Sequence, residues 1–225
     1  MLADLTKSRA GAASYAALAE LERLAALLPL APGLADRMAV AEMIAKRHER
    51  YRELFGRFGE AGDAQSVNAQ SIMSSMAVAE PAVDDARRRV VSADWWEALA
   101  AALLGAALTD ELFEALVGGP AGSEGPAGST GPGAVAEVAD ELEQDGKAPA
   151  SIDDANAPEV WATQRLRAAL AENAVLAARI AMWGRRLVGE AIVLAREFGG
   201  ERYPELADKL AVSHARRLED LGLAG

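Results

Sequence analysis

Cysteine is absent from the chain, which excludes disulfides, thiolate metal sites and cysteine nucleophiles. Histidine is scarce, with only His48 and His214, so a site rich in imidazole ligands cannot be built. Lysine is rare beside arginine, four against nineteen, a bias that GC-rich codon usage produces without functional pressure. Aromatic residues make up only 5%. Long apolar runs are missing too: the best, Ala98–Leu108, is about half of the ~20 residues a membrane span needs. The first residues carry Asp4, Lys7 and Arg9, where a secretory leader would place an apolar core. Nothing alternates like a strand, and no phosphate-binding loop, dinucleotide fingerprint, nucleophile elbow or zincin motif occurs. The expectation is a soluble, cytoplasmic protein that does not enter a membrane.

What is present is alanine and leucine within a 51% apolar chain, a composition that favours helices. The net charge of −11 opposes general binding to nucleic acid, whose affinity comes largely from neutralised phosphates. The basic clusters "KRHERYR", "ARRRVV" and "WGRR" have acidic neighbours and read as solvated charge rather than an RNA-facing patch.

Apolar periodicity predicts a helix over about 14–28, ended by "PLAPG", and a second over about 34–58. A short helix follows around 72–76, broken by Pro81. Ser92 suits the N-cap of a third long helix, "ADWWEALAAALLGAALTDELFEALV", with Trp96, Leu99, Leu103, Phe113 and Val117 as its inner stripe. Residues 118–133, "GGPAGSEGPAGSTGPG", contain five Gly-x-y triplets. These are too few for a triple helix, and the mixture reads as a linker. A short acidic helix is expected over 134–145. A helix restarts near Pro158, and two more cover about 171–198 and 204–221. The fold class is therefore all-α: one domain over 1–225, an antiparallel four-helix bundle with an added C-terminal hairpin, and an insert at 118–157.

Three stretches, "ELERLAALLPLAPGLADRMAVAEM", "ADWWEALAAALLGAAL" and "RLRAALAENAVLAARIAMWGRRLVGEA", with the ending "SHARRLEDLGL", resemble the actinobacterial ferritin-like proteins grouped with tRNA-(methylthio-isopentenyladenosine) hydroxylases. The resemblance implies a ferritin-like bundle with a di-iron site, one carboxylate from each of two helices and a carboxylate-x-x-His motif from each of the others. No such motif occurs: Ala45 and Ala211 stand three residues before the two histidines. The family's ligand positions fall on Ala17, Arg47, Arg50 and Ala106, and near Ala155 and Pro158. The site therefore reads as degenerate, with no catalytic, metal or cofactor residue.

On the second helix Val40, Met43, Ile44, Tyr51, Leu54 and Phe58 form one stripe with Arg47 at its centre. His48 falls to one side and Arg50 to the other, so His48 reads as a boundary residue. An inward cation needs a partner. Asp110, one turn past Ala106, is the expected one, with Glu20 the other option. Glu190 and His214 could meet across the C-terminal hairpin as a buried polar pair, with Arg186 reaching Glu190 at i,i+4.

The leading functional expectation is a non-catalytic bundle acting as a structural, partner-binding or small-ligand-binding module. A protein partner or self-association is expected. The alternative is a di-iron oxidoreductase or hydroxylase taking iron on Glu20, Glu22, His48, Glu190 and His214.

Overall fold

The computed structural model describes residues 2–60, 69–117 and 157–223. All regular structure among them is helical: α1 (Leu2–Leu27), α2 (Leu34–Glu60), α3 (Ala69–Arg89), α4 (Trp95–Val117), α5 (Ala157–Glu172), α6 (Ala174–Gly199) and α7 (Tyr203–Asp220). The all-α bundle expected from composition and periodicity is the observed architecture. The Gly-rich stretch 118–133 and the acidic helix expected over 134–145 lie outside the described residues.

Helix α4 is the central rod. Ala98, Leu99, Ala100, Ala101 and Ala102 are all buried, as are Leu104, Leu108, Leu112 and Phe113. It packs on α1 at one side and on α5, α6 and α7 at the others. Each of its five buried leucines, Leu99, Leu104, Leu108, Leu112 and Leu116, contributes about 1.5–3 kcal/mol by leaving water. The small residues between them let neighbours approach on every face. Trp95 is buried while Trp96 is half-buried, so the expected inner stripe covers only part of a helix that is covered nearly all round.

The start of α4 corrects the expected cap. Asp94, not Ser92, accepts from the backbone N–H of Trp96 at 2.9 Å and Glu97 at 3.0 Å. The Glu97 carboxylate reaches back to Ala93 N–H at 2.6 Å, a close relative of the reciprocal capping box. The longer carboxylate arm, two residues nearer the helix, wins over the serine.

Two further boundaries differ. Helix α1 begins at Leu2 rather than near Ser14, because Ala10, Ala12, Ala13 and Ala16 are all buried. Gly11 lets α3 come so close that a Cβ there would lie 2.4 Å from Ser75 Cβ. Helix α3 runs unbroken through Pro81. Its inner stripe, Ile72, Met76, Ala79, Val83, Ala86 and Val90, is buried. Pro81 and Ala77, whose carbonyl the proline leaves without a donor, both lie on the exposed face, where water can serve that carbonyl. At the other end Asn173 caps α6 by accepting from Leu176 N–H at 2.9 Å, which places the α5–α6 break two residues beyond Ala171.

Contacts along facing helices set their directions. Arg47 meets Asp110 and Arg50 meets Glu114, so α2 and α4 run in the same sense. Helix α3, between them in sequence, packs mainly on α1 and then on α6.

Candidate functional site

Between α2, α4 and α5 the bundle opens into a cleft of about 580 Å³. Its apolar lining comes from Leu24 of α1, Met43 of α2, and Ala102, Leu103, Ala106 and Ala107 of α4. The spacing explains the shape. Positions 102, 106, 110 and 114 lie one helical turn apart on one face of α4, and alanine at two of them leaves room. Val40 and Met43 are buried on α2, and Arg47 continues the same face one turn later.

Three ion pairs span the cleft. Arg47 Nη1 donates to both Asp110 oxygens, at 2.8 and 2.7 Å. Arg50 Nη2 donates to Glu114 Oε1 at 2.6 Å, and Lys46 Nζ donates to Glu159 Oε2. Arg47 is buried, and its Nη2 has no hydrogen-bond partner among the described residues. The pairing of Arg47 with Asp110 is the one anticipated from the two stripes. Glu20, the other option, instead sits beside Arg23 at 3.4 Å. That pair is pressed against Gly105, where a Cβ would lie 3.1 Å from Arg23 Nη1.

Arg47, Arg50, Ala106 and Asp110 therefore gather around one cleft. Ala17 is buried on α1 but outside the lining. Pro158 begins α5, and Ala155 lies outside the described residues. Sequence reasoning missed Lys46, Glu114 and Glu159. Glu114 was within reach, since it is one turn past Asp110 as Arg50 is nearly one turn past Arg47.

The residues named for a metal-binding alternative do not converge. Glu22 pairs with Arg87 at 2.8 Å, and His48 is exposed on α2. Glu190 and His214 do not form the expected pair. Glu190 turns to α3 and accepts from Arg89 Nη1 at 3.1 Å, while Arg186 donates to the Arg89 carbonyl at 3.2 Å. The exposed rim drew Glu190 towards the nearest guanidinium, whereas His214 points inward and is 2% exposed. It packs on Gly184, where a Cβ would lie 3.4 Å from Nε2. Neither ring nitrogen completes a hydrogen bond among the described residues. Burial pushes its pKa below 6.5, the nearby Arg217 guanidinium adds to the effect, and the Gly184 backbone opposes it weakly. Among the described residues no group of three His, Asp or Glu side chains is placed to hold a metal ion.

Elsewhere the charges serve packing. Tyr15 donates to Asp84 at 2.9 Å, and burial together with that carboxylate raises the phenol to about 12. Glu111 Oε2 accepts from Ser213 Oγ at 2.5 Å and Arg217 Nη2 at 3.0 Å, which clamps α7 to α4. Arg9 donates to the carbonyls of Phe198 and Gly199, each at 3.1 Å, and so closes the C-terminal end of α6. Of the basic clusters, Arg87, Arg88 and Arg89 all have carboxylate partners. No helix among the described residues is long and apolar enough to cross a membrane.

A family model described as the ferritin-like domain of actinomycetes matches residues 3–118 and 134–217. No curated protein matches the chain. The chain belongs to that actinomycete ferritin-like family.

Proposed function

We propose that this member of the actinomycete ferritin-like family is a non-catalytic relative of the tRNA hydroxylase branch. In it the interior position of a di-iron centre is taken by an ion pair. The observation that carries this reading is Arg47, buried on the inner face of α2 with both Asp110 oxygens bound to its Nη1. A di-iron centre needs several carboxylates and imidazoles free to donate lone pairs. Here the carboxylates of the cleft are matched one for one by Arg47, Arg50 and Lys46. A guanidinium has no lone pair to offer a metal and repels it. The donor set therefore does not fit iron. The protein acts in the cytoplasm as a structural or binding module, through a protein partner, a second copy or a small ligand in the cleft.

Elemental analysis of the full chain, expressed with added iron and manganese, tests the reading. Near-zero metal is the expected result. A content close to two metals per chain, the number a di-iron bundle carries, would overturn it in favour of a hydroxylase-like oxidoreductase.

A further inference from the structure

The cleft beside Arg47 has a directional arrangement of charge. In each of its three ion pairs the cation is the more buried partner. Side-chain exposure is 8% for Arg47 against 35% for Asp110, 23% for Arg50 against 63% for Glu114, and 36% for Lys46 against 44% for Glu159. Arg47 and Arg50 thus lie deeper than the carboxylates they hold, while Lys46 and Glu159 are both near the surface. Arg47 also holds an unpartnered donor, Nη2, at a depth that bulk water does not reach. Below these groups the lining is apolar and built of small side chains, Ala102, Ala106 and Ala107, with Leu24, Met43 and Leu103. A volume of about 580 Å³ lies within the ordinary range for small-molecule sites, which combine an apolar lining with a few placed polar groups.

We propose that this cleft binds a small monocarboxylate carrying a compact apolar tail. The ligand carboxylate takes the Arg50 guanidinium from Glu114, one turn of α2 from the Arg47 charge, while the tail lies on the alanines of α4. The exchange is easy because Glu114 is mostly exposed and its pairing is screened by solvent. Asp110 stays on Arg47 and keeps that cation neutralised. An uncharged ligand of the same shape would bury its tail but gain nothing from the guanidinium groups, which would keep Asp110 and Glu114. A carboxylate without a tail would gain too little from a site whose charges already balance. The inference rests on the reading of the cleft as metal-free.

Titration of the full chain with octanoate tests it, followed by calorimetry and by the NMR shift of the Met43 methyl group. The expected result is saturable binding of a single octanoate that moves the Met43 signal, with 1-octanol and acetate each roughly tenfold weaker or worse, the scale of a lost charge-assisted hydrogen bond. Ala106→Leu, which fills the cleft and leaves every ion pair in place, should abolish binding without lowering helix content. Arg50→Gln should weaken it roughly tenfold. Absence of saturable binding, equal binding of 1-octanol, or undiminished binding to Ala106→Leu would each overturn the proposal. Metal analysis of the same preparation separates the two ideas. A metal-loaded protein would sink the metal-free reading, whereas a metal-free protein indifferent to octanoate would sink only the ligand.

Discussion

The Arg47–Asp110 pair makes an asymmetric prediction. Arg47 is buried, whereas a third of the Asp110 side chain faces solvent. Removing the carboxylate by Asp110→Ala strands a cation that has no other acceptor among the described residues, and a stranded buried charge costs about 3–5 kcal/mol. The half-open cleft admits some screening, which brings the expected loss to about 2 kcal/mol. For a chain of this length that is a fall in Tm of about 4–8 °C. Alanine is also the better helix former, so the measured loss understates the interaction. Arg47→Met keeps the volume of the stem, removes the unpartnered Nη2, and leaves Asp110 able to turn to water, so its cost stays within about 1 kcal/mol. The double variant should recover most of what Asp110→Ala lost, since an apolar replacement of both partners is often neutral or better. Thermal and urea unfolding followed by far-UV circular dichroism give all four corners of the cycle. The reasoning fails if Arg47→Met costs as much as Asp110→Ala, or if the double variant is no more stable than Asp110→Ala.

His214 should make the fold acid-sensitive. Its folded pKa lies below the 6.5 of the unfolded chain, so protons bind the unfolded state first as pH falls. Stability present above pH 6.5 is then lost towards the folded pKa. The Tm of His214→Leu should decline less over that range than wild type, and parallel curves would count against the buried neutral ring. Tyr15 works at the other extreme. With its pKa raised from 10.0 to about 12, its contribution is complete below pH 10 and lost as pH climbs to about 12. Tyrosinate absorbance should show one late-ionising group that disappears in Tyr15→Phe. Gly11→Ala should lower Tm although alanine favours helices by about 1 kcal/mol. The added Cβ would meet Ser75 at 2.4 Å, and such overpacking costs about 1–3 kcal/mol; a rise in Tm would show that α1 and α3 can part freely.

The fold was legible wherever apolar spacing spoke without interference. The spans expected over about 34–58, 171–198 and 204–221 fall within three residues of α2, α6 and α7. Errors arose where a local breaker opposed a tertiary contact. Pro81 reads as a stop, but its face of α3 is exposed, so the chain continues. The stretch from Leu2 to Ala13 looks too polar and glycine-broken for a helix until α3 is placed against Gly11. Arg47 and Asp110 could be paired because each interrupts an apolar stripe at its centre. Glu190 and His214 could not be resolved in the same way. Helical phase gives a direction from one axis, and their partners on α3 and at Gly184 depend on how separate helices are rotated.

The near-total enclosure of α4 also sets the course of synthesis. Helices α1, α2 and α3 emerge from the ribosome with their shared seam uncovered until α4 closes it. Once formed, α4 keeps a bare apolar flank until α6 and α7 follow. At ~5–20 residues per second, the stretch from Val117 to the end of α7 takes several seconds to appear. Throughout that interval the Ala/Leu flank of α4 that α6 and α7 cover in the finished bundle has no partner from its own chain.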